Sequence, residues 1–264
     1  MMRVIKVGGR PQLDRALPRA LAEAHHRAPG SLVVVHGGGD EVSTLQRLYG
    51  ADARFSDGRR ITSALDLEII RMALSGSANK RLVSVLNDEG VAALGLSGED
   101  AGLLRARPLE PSCYGFVGVP VAVNTALLRH LLGGGYLPVL SPVSRNADPL
   151  MCGRVSATLN VNGDDAAAAI AIALGAEELL LVSDVAGVLL DGIPVAALEA
   201  DDARRLIDDG TASGGMGAKL QAALTALAGG VERVRISDIA AIESLDRGTV
   251  LTRMESVCTR RPLR

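Results

Sequence analysis

Short apolar segments that end in glycine or polar turns alternate with segments of helical periodicity along most of the chain. Leu32–Val35 runs directly into His36-Gly37-Gly38-Gly39, and Glu178–Val182 runs into Ser183-Asp184. Strands that are almost entirely apolar are buried on both faces, so this alternation predicts a largely parallel sheet covered by helices on both sides. Ligands bind outside the carboxyl ends of such strands, so these turns are where a functional site is expected.

Eight segments have the composition of strands, and the predicted strands cover residues 3–7, 32–35, 91–96, 119–123, 137–140, 178–182, 234–236 and 249–251. Helical periodicity predicts helices over residues 11–27, 40–49, 63–87, 166–174, 203–209 and 216–228. Ser63 followed by Asp66 has the spacing of a capping box, and Leu13 lies on the apolar face of the first helix. The segments 107–118 and 142–156 fit neither pattern and are expected to form a hairpin or a flap.

The composition restricts the kind of core and the kind of partner. The chain has 264 residues, 48% of them hydrophobic, which suits one large domain or two lobes that share one sheet. Aromatic residues make up only 2%, so the core must consist of Ala, Val, Leu and Ile, and a stacking surface for single-stranded nucleic acid is unexpected. A net charge of −2 gives no basic footprint for a nucleic-acid duplex.

The cysteines and the N-terminus indicate a cytoplasmic protein. Cys113, Cys152 and Cys258 are far apart and do not have the spacing of metal ligands, which is typical of reduced thiols. The N-terminal apolar run ends at Gly8-Gly9 and is too short for a signal peptide or a membrane span. We therefore expect neither a membrane partner nor a nucleic-acid partner.

Lysine is scarce in a chain that is rich in arginine. Of the 28 basic residues, 25 are Arg and only three are Lys, namely Lys6, Lys80 and Lys219. An ammonium is a compact point charge, whereas a guanidinium is a wide planar fork, so a surviving lysine marks a position where Arg does not substitute. This count selects candidates, and the local sequence then separates them.

Two of the lysines stand at glycine-rich turns. Lys6 ends the first strand beside Gly8-Gly9, where free backbone N–H groups can approach phosphate oxygens. Lys219 follows Ser213-Gly214-Gly215-Met216-Gly217-Ala218 in the first turns of a helix. A cation at a helix N-terminus opposes the helix dipole, and a bound anion such as a phosphate would relieve that conflict. Lys80 lies within the long helix, where a structural contact is the better interpretation.

The other polar motifs each have a structural and a functional interpretation. His36 fits a structural histidine better than a base, and Arg60 is either a solvated arginine or a fork for a substrate carboxylate. Asp164 and its neighbours open the Ala-rich helix as capping residues, although Asp164 can also hold a lysine or a metal and Asn160 can bind a substrate. The turn Ser183–Val188 suits the base and ribose edge of a nucleotide. The chain contains no G-x-x-x-x-G-K-[ST] loop.

Taken in order, these motifs resemble the amino acid kinase family. The resemblance rests on KVGG, VVVHGGG, F-x-D-G-x-R-x-T, L-x-G-x-x-N-K, GLSGED, NVNGDDAAAAIA-x-ALGA, LVSDVAGVL and SGGM-x-x-K, and it spans nearly the whole chain. It implies an α/β fold with an open, mostly parallel eight-stranded sheet between helices. It also implies ATP- and Mg²⁺-dependent phosphorylation of a carboxylate, closest to the branch that phosphorylates N-acetyl-L-glutamate in arginine biosynthesis.

The resemblance also implies which part of the chain binds which ligand. A lobe of about 1–156 would bind the acyl amino acid, and a lobe of about 157–264 would bind ATP. Lys6 and Lys219 would stabilise the migrating phosphoryl group, Asp164 would orient both lysines, and Gly38, Gly39, Arg60 and Asn160 would hold the acyl amino acid. The implied nucleotide site consists of Gly8, Gly9, Val182, Ser183, Asp184, Val185, Ala186, Gly187, Thr211, Ala212, Ser213 and Gly215. Mg²⁺ would be held mainly by ATP.

Several departures from the family pattern leave the acyl group open. Gly163 stands where the family usually has Ala, so a looser turn is expected, and the segments 107–118 and 145–154 match poorly. The alternatives are a carrier-protein-linked aminoadipate or glutamate, met by a basic rim, and N-succinylglutamate. Arg105, Arg107, Arg145 and Arg154 are the candidates for that rim. A regulatory relative without turnover fits less well, because both lysines and Asp164 are present. The resemblance also suggests a homodimer through the N-terminal half.

Overall fold

The computed structural model describes residues 1–56, 58–148, 150 and 157–253, and Asp57, Cys152, Arg154 and Cys258 lie outside these ranges. Fifteen strands are present within them. They are β1 (Arg3–Val7), β2 (Leu32–His36), β3 (Phe55–Ser56), β4 (Arg59–Arg60), β5 (Ala93–Gly98), β6 (Leu104–Pro108), β7 (Val117–Val123), β8 (Leu137–Asn146), β9 (Thr158–Val161), β10 (Glu178–Val182), β11 (Leu189–Leu190), β12 (Ile193–Pro194), β13 (Ala197–Glu199), β14 (Arg233–Ser237) and β15 (Thr249–Thr252).

The helices alternate with these strands. They are α1 (Ala16–Arg27), α2 (Gly39–Leu48), α3 (Ala64–Ile70), α4 (Asn79–Asp88), α5 (Pro111–Tyr114), α6 (Thr125–Gly133), α7 (Gly163–Leu174), α8 (Ala200–Asp208) and α9 (Gly214–Ala228). A π-helical segment, Arg71–Ala78, joins α3 to α4, and short 3₁₀ turns cover Arg10–Leu13, Asp100–Gly102 and Ile239–Ile242.

Eleven of the strands in the described ranges form one sheet with β1 near its middle. The order is β13-β15-β14-β10-β1-β2-β8-β6-β7-β9, with β5 paired to β8. Most neighbours in this sheet are parallel, and its antiparallel pairings in the described ranges are β14–β15, β6–β7 and β8–β9. The separate pairs β3–β4 and β11–β12 are antiparallel as well. The predicted fold class is confirmed, and the number of strands is corrected from eight to eleven.

The central strands divide their side chains between two apolar layers. Along β1, Val4 packs in a cluster that includes α7 and α9, whereas Ile5 and Val7 pack in a second cluster that includes α1 and α4. Successive side chains of a strand point to opposite faces, so strands that are apolar throughout fill both layers. The core is built mainly from Ala, Val, Leu and Ile, as the composition predicts.

All eight predicted strands belong to the large sheet, and the prediction missed its strands β6, β9 and β13 as well as the four short strands of the β3–β4 and β11–β12 pairs. Arginine alternates with small apolar residues along β6, β9 contains Asn160, and β13 has only three residues. The segment 107–118 forms the turn of a hairpin between β6 and β7, with α5 at its tip. The segment 142–156 was predicted to be irregular, but residues 142–146 belong to β8 because they pair with β6 and β9. Residues 149 and 151–156 lie outside the described ranges.

The predicted first helix starts later than its sequence pattern suggests. Residues 10–13 form a 3₁₀ turn, Asp14 is extended, and α1 begins only at Ala16. Leu13 is therefore 75% exposed instead of facing the core, which corrects the prediction for that residue.

The predicted long helix is capped as expected but changes its winding. Ser63 and Asp66 form a capping box at the start of α3. The segment 71–78 then adopts π-helical hydrogen bonding before α4 begins. Leu74 of this segment packs against the glycine turn after β2, where a Cβ on Gly38 would lie 2.7 Å from Leu74 Cδ2. The π segment therefore brings an apolar side chain to the carboxyl edge of the sheet.

The proposed boundary between two lobes does not divide the sheet. β1 comes from the first half of the chain, and it pairs with β2 on one side and with β10 of the second half on the other. β9 follows the boundary near residue 156, yet it pairs with β7 and β8 of the first half. One sheet thus connects both predicted lobes.

A buried ion cluster anchors the loop that follows β14. Arg235 is fully buried, and its Nε donates to Glu178 Oε1 at 2.6 Å. Arg3 Nε donates to the other oxygen of Glu178, also at 2.6 Å. The remaining Arg235 N–H groups donate to the carbonyls of Ala241, Ser244 and Arg247. One arginine side chain therefore fixes a loop that contains little regular structure.

Glu178→Gln keeps the size of the side chain but removes the anion between Arg3 and Arg235. We expect the free energy of unfolding to fall by about 3 kcal/mol, because a buried guanidinium loses its compensating charge. Urea denaturation followed by circular dichroism measures the change. Glu23→Gln breaks the exposed Arg19–Glu23 pair as a matched control and should cost less than about 1 kcal/mol. Equal losses in the two variants would contradict the assignment.

Candidate functional site

Two glycine turns pack against each other at the carboxyl edge of the sheet. Gly8-Gly9 follows β1, and Gly37–Gly39 follows its parallel neighbour β2. The N–H of Gly37 donates to the carbonyl of Val7 at 2.9 Å. A Cβ on Gly9 would lie 3.3 Å from both the Cα of Gly38 and the N of Gly39, so a side chain would crowd the contact. Glycine thus lets the two backbones approach each other beside the side chain of Lys6.

Lys6, Asp164 and Lys219 meet at this edge although they are distant in the sequence. Lys6 Nζ lies 2.8 Å from Asp164 Oδ1, and Lys219 Nζ lies 3.5 Å from Asp164 Oδ2. None of the three side chains is more than 12% exposed. The contact of Lys6 is an ion pair without good hydrogen-bond geometry. β1, α7 and α9 therefore each contribute one charged group to a single buried cluster.

The start of α7 suits a carboxylate at position 164. The Asn162 side chain caps the helix by accepting a hydrogen bond from the N–H of Asp164 at 2.7 Å. The helix N-terminus also favours a negative charge. Burial alone would raise the pKa of Asp164, but the charges of Lys6 and Lys219 outweigh it and hold that pKa below its usual value. Asp164 is therefore both a first-turn residue of the helix and the anion between the two lysines.

Burial lowers the pKa of Lys219, and the nearby charge of Lys6 lowers it further, while Asp164 and Asp184 oppose the shift. The two lysines thus repel each other through a poorly solvated region. Two cations share one carboxylate, so the cluster carries one net positive charge at neutral pH. Such a site favours an additional anion.

Gly163 leaves room for Lys6. A Cβ at this position would lie 3.2 Å from Lys6 Cε, which is tighter than an ordinary contact. The residue is the first of α7, so the local backbone is helical and regular rather than loose. The missing methyl group gives the lysine space beside Asp164.

A cavity of about 200 Å³, which we call the central cavity, opens beside Lys6 and Asp164. Its lining contains all four residues predicted to hold an acyl amino acid, namely Gly38, Gly39, Arg60 and Asn160. Its apolar lining includes Val42, Ile70 and Leu74. The cavity thus combines cations, backbone groups and an apolar wall, as a small amphipathic anion would require.

Arg60 is more strongly held than a solvated arginine. Its Nη1 donates to Gln46, and its Nη2 donates to the carbonyl of Gly39 at 3.0 Å and to Ser43 Oγ at 2.9 Å. The guanidinium carbon lies 4.6 Å from the centre of the Phe55 ring. Burial lowers the pKa of Arg60, although Asp66 and Asp40 oppose the shift. These contacts fix the fork in one orientation at the cavity wall.

Asn160 is also fixed by its neighbours. Its Nδ2 donates to Thr62 Oγ1 at 2.9 Å, and that hydroxyl donates to the carbonyl of Arg60. A strand of the second half of the chain is thereby connected to the β3–β4 hairpin.

His36 makes structural contacts, in line with the interpretation favoured from the sequence over a catalytic base. It is fully buried, its Nδ1 lies 2.9 Å from the carbonyl of Gly37, and its Nε2 lies 3.0 Å from Asn79 Nδ2. These partners require Nδ1 to donate and Nε2 to accept, which is the neutral form. Burial lowers the pKa of His36 from 6.5 to about 4. Lys80 likewise makes a structural contact, from its Nζ to the carbonyl of Gly95 at 2.9 Å.

The turn after β10 is tied to its surroundings in several ways. The side chain of Val182 is fully buried, and the N–H of Ser183 donates to the carbonyl of Ser237 at 2.7 Å. Asp184 pairs with Arg10 at 2.8 Å, and this hydrogen bond holds the pKa of Asp184 below its usual value. The charge of Asp184 also acts to raise the pKa of Lys219, so this turn is coupled electrostatically to the charged cluster.

Ala186 and Gly187 are held against the neighbouring strands. The carbonyl of Ala186 accepts a hydrogen bond from Ser237 Oγ at 3.3 Å. A Cβ on Gly187 would lie 2.6 Å from Thr249 Oγ1, so glycine is required by this packing whether or not a ligand binds there. The structure thus gives these two predicted nucleotide-site residues a packing role of their own.

The glycine-rich turn before α9 borders a second cavity of about 380 Å³, the glycine-turn cavity. Of the residues predicted to bind nucleotide, Ala212 and Ser213 line it, together with Gly214 and Gln221. Thr211, Gly215 and the turn 182–187 are not part of its lining. The structure therefore brings only some of the predicted nucleotide residues to one cavity.

Sequence reasoning missed three residues that shape the central cavity, namely Gln46, Phe55 and Arg59. Gln46 joins Arg60 to Asp66, and Phe55 lies under the Arg60 guanidinium. Arg59 had a usable signal, because adjacent residues of a strand point to opposite sides and the two arginines of β4 must diverge. Gln46 has no comparable signal on a helix rich in polar residues.

The described residues contain no group of three or more His, Cys, Asp or Glu side chains arranged to hold a metal ion. The carboxylates near the cluster are already paired, Asp164 with both lysines, Asp165 with Arg59 and Asp184 with Arg10.

Comparison with known proteins agrees with this arrangement. The model of the family described as "Amino acid kinase family" matches residues 1–238. The acetylglutamate kinase of Chloroflexus aurantiacus (strain J-10-fl) is 42% identical over 254 residues, which is 96% of this chain and 97% of that protein. The acetylglutamate kinase of Geobacillus stearothermophilus is 40% identical over 235 residues, which is 88% of each chain.

A solved structure also has the same fold. The crystal structure of smu.665 from Streptococcus mutans UA159 superimposes with a TM-score of 0.83 at 28% identity, covering 95% of this chain and 98% of that one.

Protonation of His36 should make stability depend on pH. The folded protein holds this pKa near 4, whereas the unfolded chain has 6.5, so only the unfolded chain binds the proton between these values. The contribution of His36 is complete above pH 6.5 and is lost as the pH falls towards 4, by about 3 kcal/mol. Between pH 6.5 and pH 4 the unfolding free energy of the wild type should fall by about 3 kcal/mol more than that of His36→Gln. His26→Gln, which alters an exposed histidine, should keep the wild-type slope.

Proposed function

Because the chain belongs to the amino acid kinase family, we propose that it transfers the γ-phosphoryl group of ATP to the side-chain carboxylate of N-acetyl-L-glutamate. The product would be an acyl phosphate, formed in a step of arginine biosynthesis. The relatives that support this reaction are acetylglutamate kinases matched over most of their length at about 40% identity.

The observation that carries the proposal is the sharing of one buried carboxylate by two lysines. Lys6 and Lys219 converge on Asp164 from different halves of the chain, and Lys6 also lines the central cavity. The cluster holds one more positive than negative charge, so it is stabilised when an anion arrives. A phosphoryl group that passes between two oxygens is such an anion.

The chemistry requires cations rather than a base. A carboxylate acceptor is deprotonated at neutral pH, so no group has to remove a proton from it. The acceptor and the γ-phosphate are both negative, and charge spreads over the transferring oxygens in the transition state. One cation about 4 Å from a unit negative charge contributes roughly 4 kcal/mol at an effective dielectric near 20. Two lysines held in advance by Asp164 supply that stabilisation without reorganising.

The residues around the central cavity suit the acceptor. We assign Gly38, Gly39, Arg60 and Asn160 to the acyl amino acid, with the Arg60 fork directed by Gln46, Ser43 and the Gly39 carbonyl. Three of its five N–H donors bond these protein groups, which leaves donors for a carboxylate of the ligand. The apolar wall of Val42, Ile70 and Leu74 suits an acyl methyl group.

The nucleotide would occupy the other side of the cluster, and we assign to it the nucleotide-binding residues that the family resemblance implies. Ala212 and Ser213 border the glycine-turn cavity, and Asp184 acts on Lys219 from the turn after β10. Gly9 offers a backbone N–H group beside Lys6, whereas the N–H of Gly8 already donates to the carbonyl of Val182 at 3.1 Å, which corrects the expectation of a free N–H at that residue. The start of α9 offers further donors for phosphate oxygens. We propose that Mg²⁺ enters with ATP, held by phosphate oxygens and water, because the nearby carboxylates are paired with cations.

The acyl group is the point on which the competing proposals differ. Arg105 of β6 lies opposite Arg145 of β8 in the backbone pairing of the sheet. Arg107 is exposed on the hairpin that β6 forms with β7, and Arg154 lies outside the described residues. These arginines are compatible with a basic rim for a carrier protein, but the curated relatives reported above are acetylglutamate kinases. N-acetylglutamate is therefore the substrate we propose.

Other properties rest on the resemblance. In the described ranges no helix combines the length and apolarity needed to cross a membrane. We propose a cytoplasmic homodimer that forms through the N-terminal half, without a nucleic-acid or membrane partner.

The proposed reaction can be tested by trapping its product. The purified protein with ATP, Mg²⁺ and N-acetylglutamate should yield an acyl phosphate that hydroxylamine converts to a coloured hydroxamate. Glutamate, N-succinylglutamate and a carrier-linked aminoadipate serve as the comparison panel. Hydroxamate from one of the panel substrates but not from N-acetylglutamate would reject the proposed acceptor, and none from any substrate would reject the reaction.

Lys219→Arg should lower kcat by about a hundredfold, because a planar fork cannot replace a point charge 3.5 Å from Asp164. The free energy of unfolding should change by less than about 1.5 kcal/mol, since the positive charge is kept. Steady-state kinetics and thermal unfolding measure the two effects. Lys80→Arg is the matched control and should leave kcat unchanged, because Lys80 Nζ donates to the Gly95 carbonyl rather than to a member of the charged cluster. An unchanged kcat for Lys219→Arg would remove that residue from the mechanism.

A further inference from the structure

Three consecutive residues of the β3–β4 hairpin contact three different helices. Gly58 lies against the start of α9, where a Cβ would come within 2.6 Å of the Gly214 carbonyl oxygen. Arg59 pairs with Asp165 on α7, and Arg60 donates to Gly39 and Ser43 on α2. One short hairpin therefore spans the gap between elements that carry the two proposed ligand sites.

Arg59 occupies the junction of these sites. It lines both the central cavity and the glycine-turn cavity, and it also borders a third, largely apolar cavity of about 460 Å³ between β7, α7 and α9. Its Nη1 lies 2.5 Å from Asp165 Oδ2, and the two side chains are only 21% and 16% exposed. A partly buried pair at such a junction restrains the elements that it joins more than an exposed pair does.

Asp165 stands next to Asp164 in the first turn of α7. Burial raises the pKa of Asp165, whereas the charge and hydrogen bond of Arg59 oppose that shift. The Arg59–Asp165 contact therefore binds the hairpin to the same helical turn that holds Lys6 and Lys219.

We propose that Arg59 is a positioning residue that, through Asp165, holds the hairpin closed over the acyl amino acid in the central cavity. The inference rests on the proposed function for the identity of the ligand. The hairpin carries Phe55 and Arg60, which form part of the cavity wall. Arg59 fixes this wall relative to the lysines that act on the phosphoryl group, so the acceptor is aligned with the site of transfer.

Arg59→Met keeps an unbranched side chain but removes the charge. It should raise KM for the acyl amino acid about tenfold and leave KM for ATP within about twofold, because among the described residues the hairpin contributes Phe55, Gly58, Arg59 and Arg60 to the central cavity but only Arg59 to the glycine-turn cavity. Arg59→Lys should bring KM for the acyl amino acid most of the way back to the wild-type value, because a lysine can still pair with Asp165. Steady-state kinetics with each substrate varied in turn measure this difference, with whichever acceptor of the panel is turned over.

Two further measurements separate positioning from a general loss of stability. Arg19→Met removes the exposed Arg19–Glu23 ion pair of α1. It should change neither KM for the acyl amino acid nor KM for ATP. Asp165→Asn should reproduce the effect of Arg59→Met, and the double variant should be no worse than either single variant, because all three break the same contact.

Amide hydrogen exchange gives a readout that does not depend on catalysis. In Arg59→Met the amides of Ile61 and Thr62, which bond Arg54 and Tyr114, should exchange faster than in the wild type. Unchanged exchange there overturns the proposal whatever substrate the protein uses. Faster exchange also overturns the proposal if KM for the acyl amino acid and KM for ATP rise equally. The proposal is likewise overturned if the effects of Arg59→Met and Asp165→Asn on KM for the acyl amino acid add in the double variant. A wild type without hydroxamate formation instead overturns the proposed function.

Discussion

One buried carboxylate holds two lysines that come from opposite ends of the chain, and the surrounding elements are arranged around this contact. Asp164 must sit at a helix N-terminus, where its charge is favoured even without a partner. Lys6 must point from the central strand towards that helix, and α9 must begin within a few residues of Lys219. Since two like charges repel in a poorly solvated place, the cluster keeps its geometry only because the anion lies between them. The site is thereby prepared for a negatively charged group before that group binds.

The sequence predicts what depends on local pattern. Strands such as Leu32–His36 are recognisable because they are apolar on both faces, and the glycines after them mark the carboxyl edge of the sheet. The capping box at Ser63 also follows from a short-range feature, the spacing of Ser63 and Asp66. The pairing of Lys6 and Lys219 with Asp164 was implied by a resemblance that covers the whole chain, and no single spacing would have revealed it.

What could not be predicted depends on contacts between distant residues. The strand β6 has a polar alternation that resembles a loop, and it forms only because β7 and β8 provide partners. The sequence allowed Arg60 to be a solvated surface arginine, but Gln46 and Ser43 of α2 hold its guanidinium by hydrogen bonds. The strand pattern of β4 indicates that the side chain of Arg59 diverges from that of Arg60, but it does not reveal the partner Asp165, which is more than a hundred residues away in the chain. The start of α1 was misjudged, because Asp14 is extended and separates the 3₁₀ turn from the helix.

The position of β1 has a mechanical consequence. Five residues of this strand are paired on one side with β2 and on the other with β10, so hydrogen-bonded ladders run without interruption from the first half of the chain into the second. Two rigid bodies joined by a flexible linker could swing apart at little cost, but two halves of one sheet can only twist against each other. The two ladders also fix the backbone of Lys6 from both sides, so the cation nearest the middle of the sheet is held by both halves of the chain at once.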